Sequence, residues 1–211
     1  MKRIIFVRHG ETEQNRASVH QGAAIGGDLS VGGARDLRTL AEAIRVSDFR
    51  IDEVLVSPMK RCQNSFYALT PPLTASRART VPSLSAKNSG SDSGLDRSTM
   101  QTRIRNSGLA IEDYKAPNGE STRDVQKRYL DALRGVQRSP ATTSLVLAHG
   151  AGIASVLLHL TGNSFDKFED YVPSPAGMAV VEEHDGHLEV VDYDVRPADS
   201  LATFERLGAR I

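Results

Sequence analysis

The stretch from Lys2 to Asn15, KRIIFVRHGETEQN, constrains this chain more than any other. Ile4, Ile5, Phe6 and Val7 form an apolar run with β-branched character, long enough for a buried parallel strand and too short for a helix. Arg8, His9 and Gly10 then end the run at its carboxyl edge, where open α/β sheets hold their ligands, and Gly10 permits a tight turn there. A cation beside an imidazole at such an edge points to phosphate chemistry.

The remainder of the chain reads as the sheet and helices that this strand needs around it. Glu53–Val56 and Ser144–Ala148 are further short apolar strands, Arg79–Val81 is a weaker one, and Met178–Glu183 with Leu188–Val195 make a hairpin turning at Asp185-Gly186. Ser30 caps a helix that buries Val31, Ala34, Leu37, Leu40, Ala41 and Ile44 along one stripe. Ser57-Pro58 opens another toward Leu69, with Pro58 in the first turn and Arg61 close behind. Ser121 and Asp124 form a capping-box start for a helix carrying Val125, Tyr129, Leu133 and Val136, and Ala151–Leu160 is a helix closed by Gly162. Strand alternating with helix predicts a three-layer α/β/α sandwich with a mainly parallel sheet. Gln21–Gly27 is a Gly-rich loop near the first strand end. The serine-rich stretch Ser83–Ser98 opens a longer segment, about 83–118, that reads as a loop or lid with room for a short helix at Met100 and Ile104.

A chain of 211 residues suits one domain spanning 1–211, since it buries roughly 70% of the surface its unfolded form exposes. Lys plus Arg and Asp plus Glu both number 26, so no global field favours nucleic acid or an anionic membrane, and anion binding has to be local. The single cysteine, Cys62, forms no internal disulfide, and the first apolar run is too short for a signal peptide; both fit the cytoplasm. No apolar stretch reads as a membrane span. There is no His or carboxylate cluster at metal-ligand spacing and no Walker-type loop, so neither metal nor cofactor is expected.

Right-handed crossovers bring the ends of parallel strands to one edge of a sheet, so Arg8, His9, Arg61 and His149 can meet although 140 residues separate the two histidines. Two guanidiniums grip phosphate oxygens bidentately, and helix starts after Gly10 and Gly150 aim N–H groups at the same anion. In such a pocket the cations hold His9 deprotonated, ready to attack phosphorus and become a phosphohistidine. His149 stands opposite as a hydrogen-bond donor, stabilising charge on the equatorial oxygens until water cleaves the phosphoenzyme. The blander reading of these four is a structural ion-pair cluster.

Arg8-His9-Gly10-Glu11-Thr12 with Asn15 resembles the signature of the histidine phosphatase superfamily, the phosphoglycerate-mutase-like proteins. Ser57-Pro58-Met59-Lys60-Arg61 resembles the second arginine motif, Gly119-Glu120-Ser121 with Arg128 a recurrent helix start, and His149-Gly150 the second-histidine motif; all stand in family order. The resemblance implies a phosphoglycerate-mutase-like fold with His9 as phosphoacceptor. It also implies that Arg8, Arg61 and His149 complete the phosphate pocket, and that Asn15 and the Gly150 backbone contact substrate. Asn15 also suits a helix cap, and Glu120 suits a helix start better than catalysis.

One segment departs from the family. Family members carry a general-acid Glu two residues after a Leu; here Leu84, Gly90 and Gly94 keep that frame while Ala86 occupies the acid's place, and Asp92-Ser93 replace a tryptophan and glutamate. General acid catalysis contributes on the order of 10²- to 10⁴-fold when an alkoxide must leave and little when the leaving group is already stable. Either Asp92, or less readily Asp96, swings in as substitute acid, or the substrate carries an aryl, acyl or phosphoramidate leaving group. The expected activity is hydrolysis of a phosphorylated small molecule or phosphoprotein. The alternatives are an inert phosphate-binding regulatory protein and a phosphoglycerate mutase. Lys87, Arg97, Arg103 and Arg105 fit either a multiply anionic substrate or a solvated surface. His20 lies in the early loop within reach of the pocket but reads more readily as an exposed loop residue, His159 as core or surface, His184 and His187 as turn-flanking, and Cys62 as packing.

Overall fold

The computed structural model describes residues 1–23, 27–73 and 77–209. In chain order the elements are β1 (Lys2–Arg8), α1 (Glu13–Arg16), α2 (Val31–Val46), β2 (Glu53–Val56), α3 (Lys60–Leu69), β3 (Arg77–Thr80), α4 (Arg97–Ser107) and α5 (Thr122–Gln137). They continue as β4 (Thr143–Ala148), α6 (Gly150–Thr161), β5 (Met178–His184), β6 (His187–Val195) and α7 (Ser200–Gly208). The described strands form one six-stranded sheet in the order β3-β2-β4-β1-β5-β6. The pairs β3·β2, β2·β4 and β4·β1 are parallel, whereas β1·β5 and β5·β6 are antiparallel. The fold is thus the expected α/β sandwich with a mainly parallel sheet.

Alternation along β1 explains the layers. Ile5 and Val7 face a core with α2, α3 and α7, through Leu37, Leu40, Cys62, Leu69, Phe204 and Leu207. Ile4 and Phe6 face the opposite core, with Val125, Tyr129, Ile153 and Leu157 of α5 and α6. A parallel strand covered on both sides has to be apolar throughout, which is why β1, β2 and β4 lack polar alternation. β3, at the sheet edge, is exposed along its whole length.

The caps follow the sequence closely. The Ser30 side chain accepts from the Gly33 N–H at 3.0 Å, Ser121 and Asp124 cap α5 reciprocally, and Gly162 ends α6 at φ 67. Asp185 and Gly186, at φ 50 and 81, form the left-handed pair that a two-residue hairpin requires.

Three expectations need correction. The third helix begins at Lys60, after an N-cap at Met59, so Pro58 lies outside it; Ser57 Oγ accepts from the Met59 N–H at 3.3 Å and meets His149 Nε2 at 2.8 Å. The edge strand runs Arg77–Thr80 rather than Arg79–Val81. No long helix follows Gly10: α1 is four residues, opened by a Thr12–Asn15 capping box, and the Gly10 N–H donates to Ser65 Oγ at 3.0 Å. Of the expected Gln21–Gly27 loop, residues 24–26 lie outside the described residues. α7 was not foreseen; its Phe204 and Leu207 close the first core. Among the described residues no helix is long and apolar enough to cross a membrane.

Candidate active site

Three chain segments leave the carboxyl ends of β1, β2 and β4 and converge. His9 follows β1, its N–H held by the Ala148 carbonyl at 3.0 Å and its own carbonyl accepting from Ala176 N–H at 3.2 Å. Arg61 lies in the first turn of α3, after β2. His149 follows β4 and is the N-cap of α6. The two imidazole centroids are 5.3 Å apart at 60°, and Arg61 Nε donates to His149 Nδ1 at 3.3 Å. All three side chains are at most 4% exposed. Arg8, His9, Arg61, His149, Asn15 and Gly150 all line one cavity of about 510 Å³.

The hydrogen bonds assign the tautomers. His9 Nδ1 lies 2.8 Å from the Gly10 carbonyl, which only accepts, so Nδ1 carries the proton and Nε2 keeps its lone pair. His149 is the reverse. A guanidinium only donates, so His149 Nδ1 is the acceptor and Nε2–H points to Ser57 Oγ. Both nitrogens of His149 are therefore engaged by protein groups, a difference from the donor role expected of it.

Burial, more than the neighbouring cations, pushes both histidines well below the ordinary imidazole value; Arg8 and then Arg61 add to this at His9. Arg8 is itself pushed down to about 10 by burial and by the charges of Arg97 and Arg61. One of its terminal nitrogens donates to the Pro173 carbonyl at 2.6 Å, while its buried Nε has no partner among the described residues. Guanidiniums crowded around an unpartnered N–H fit an anion. The N-terminus of α6 adds to this field, since His149 offers it no side-chain cap and Gly150 and Ala151 line the cavity. A Cβ at Gly150 would stand 2.9 Å from Val172 Cγ1 and 3.3 Å from Arg8 Nε, so glycine is what lets Arg8 lie against the helix start.

The opposite wall comes from the segment after β3. Arg128 donates to the carbonyls of Ser83, Ser85 and Ala86 at 2.7, 2.7 and 2.9 Å, and is held by Glu120 at 2.9 Å. Glu120 also accepts from the Asn88 N–H at 2.8 Å. These two residues clamp Ala86 at the cavity wall. Asp92 lines the cavity too, with both carboxylate oxygens engaged in this structure. It is 2% exposed, one oxygen paired with Arg103 at 2.6 Å and the other accepting from Tyr114 O–H at 2.9 Å. Asp96 caps α4 instead.

Some cavity residues escaped sequence reading. His20, expected in solvent, lines the cavity and meets Ser89 Oγ at 2.6 Å; no local pattern marks it. Lys87 and Arg97 line the cavity, whereas Arg105 is exposed. Asn15 both completes the capping box of α1, its Oδ1 accepting from the Thr12 N–H and hydroxyl, and lines the cavity. His159, His184 and His187 are exposed, and among the described residues no group of three or more His, Cys, Asp or Glu is arranged to hold a metal ion. The Cys62 thiol is buried and pushed up to about 12, which makes it inert packing.

The family model of the histidine phosphatase superfamily, branch 1, matches residues 4–196. Fructose-2,6-bisphosphatase TIGAR B of Danio rerio is 25% identical over 155 residues, 72% of this chain and 58% of its own length. The chain thus spans less than two thirds of that relative. The uncharacterized phosphatase PhoE of Bacillus subtilis (strain 168) is 26% identical over 163 residues, 77% of this chain and 79% of its own length. Among solved structures, YhfR of Bacillus stearothermophilus superposes with a TM-score of 0.81 at 20% identity, covering 94% of this chain and 100% of that one, a likeness of fold.

Proposed function

The chain belongs to the histidine phosphatase superfamily, and we propose that it is a phosphatase that hydrolyses phosphomonoesters through a phosphohistidine on His9. The observation that carries this reading is the His9 tautomer: Nδ1–H is committed to the Gly10 carbonyl, so the unprotonated Nε2 is available as nucleophile. The reading takes residues 1–211 as one unit, with about 83–118 as the roof of its site.

Phosphate enters between Arg8 and Arg61, over the start of α6. Nε2 of His9 attacks phosphorus, the bond to the leaving oxygen breaks, and that oxygen departs with the electron pair. The incoming phosphate competes with His149 Nδ1 for Arg61 Nε; arriving as the monoanion, it directs its own P–OH proton to the freed Nδ1, and that shared proton forms the hydrogen bond between the second imidazole and the transferring group. Water then attacks phosphorus, the P–N bond breaks, and phosphate leaves with the water's oxygen while His9 recovers its lone pair. Asn15, through its side-chain amide nitrogen, which has no partner among the described residues, and the Gly150 backbone would contact substrate.

The proton for the leaving oxygen is the weak point of this pocket. Ala86 brings none, and both Asp92 oxygens are already engaged. This favours substrates whose leaving groups are stable as anions, and it is also the observation behind the second reading, a phosphate binder with little turnover. The deciding experiment is phosphate release from an aryl phosphate, with trapping of an acid-labile phosphoenzyme. Wild type should release phosphate and label, and His9→Ala should lose about 10⁴-fold or more in kcat with no label. Tight phosphate binding by wild type without any turnover would instead establish the binder.

A further inference from the structure

α4 is a helix with no core to join. Of its eleven residues only Met100 and Ile104 are apolar aliphatic side chains, and none of the eleven is fully buried. Those two stand one turn apart, and with Arg97 and Gln101 they form the i, i+3, i+4, i+7 stripe that lines the cavity. The remaining positions are Ser, Thr, Arg and Asn. Ile111, 38% exposed, and Phe168 add apolar surface to the same space. The apolar side chains of α4 thus face a space shaped for a ligand, and covering them is a source of binding free energy.

Resting on the hydrolase reading above, we infer that the site takes aryl phosphomonoesters, with Met100 and Ile104 as specificity-determining residues that receive the ring. Two independent observations intersect on this class. With Ala86 bringing no proton and both Asp92 oxygens engaged, a leaving group stable as an anion is favoured, which puts aryloxide, carboxylate or amide-type nitrogen ahead of alkoxide. The apolar stripe then selects among these three, since an arene presents a broad apolar face and the other two bring polar groups beside phosphorus. A cavity of about 510 Å³ has room for a fused bicyclic ring with its phosphate.

The test separates binding from turnover. Binding is read by calorimetry in the His9→Ala background with 2-naphthyl phosphate, glycerol 3-phosphate and inorganic phosphate; turnover is read with His9 intact. Naphthyl phosphate should bind at least tenfold more tightly than glycerol 3-phosphate. Met100→Gln and Ile104→Gln should each weaken naphthyl phosphate about 5- to 10-fold, the share expected from a partly buried aliphatic side chain, and leave inorganic phosphate unchanged. In turnover they should raise KM for naphthyl phosphate with kcat within twofold. Equal affinity for the two organic phosphates, or an equal loss for naphthyl and inorganic phosphate in the variants, would overturn the inference. Selective binding without turnover would uphold the ring site and defeat the hydrolase reading, whereas turnover without selectivity would do the reverse.

Discussion

The floor of the cavity and its roof differ in how they are held. Below, His9 and His149 follow directly on strands of the parallel sheet and Arg61 sits in the first turn of the helix after β2; all three are at most 4% exposed, and each hydrogen-bonds to backbone or to another site residue. Above, the chain from Pro82 to Gly119 contains short 3₁₀ turns and a polar helix, joined to the wall by an ion pair whose arginine, Arg103, is 46% exposed. A group that transfers phosphate needs placement within fractions of an ångström, and the sheet edge supplies it. A surface that chooses among leaving groups needs only shape and polarity, and a loop can vary those without moving His9, the proposed nucleophile.

Substitutions sharpen that contrast. The largest effect in this set belongs to the floor: Arg61→Ala should lower kcat/KM for an aryl phosphate by about 10²- to 10³-fold, the cost of removing one donor from developing charge. Steady-state kinetics checks it, and a loss below tenfold would make Arg61 a support for His149 alone. The roof should instead change preference. Ala86→Glu, its backbone already clamped by Arg128, should raise kcat on an alkyl phosphate by roughly tenfold or more and leave an aryl phosphate nearly untouched. Asp92→Asn should alter both substrates less than about threefold, and a selective loss on the alkyl ester would return Asp92 to the role of acid.

The smallest effect is on stability. Both site histidines are held well below 6.5, so the unfolded chain binds protons that the folded one refuses. Their contribution is present above pH 6.5 and is lost as pH falls below it, at up to about 1.4 kcal/mol per pH unit for each histidine between its two pKa values. Urea titrations of wild type and of His9→Ala between pH 7 and 5 should show the shallower slope in the variant.

Much of the floor was legible in the sequence because it is written in local signals: an apolar run that stops at Arg8-His9-Gly10, a second that stops at His149-Gly150, and crossover handedness that brings them together. The roof was not. α4 lacks a continuous hydrophobic stripe because it spans a cavity rather than a core, so its periodicity is faint. Asp92 looked mobile because nothing in its neighbourhood along the chain announces Arg103 or Tyr114 as partners. Ser57 gave no sign of joining the site because its hydroxyl meets a histidine 92 residues away. His20 reaches the cavity through a loop, where side-chain direction follows no period.

The bond from His9 to the carbonyl of its own neighbour, Gly10, has a kinetic consequence. Because the residue that fixes the ring's proton is one peptide away, the lone pair is set when the polypeptide folds and does not wait for anything to arrive. If His9 is the phosphoacceptor proposed above, rapid mixing should show covalent labelling rising with no lag from reorientation of its ring.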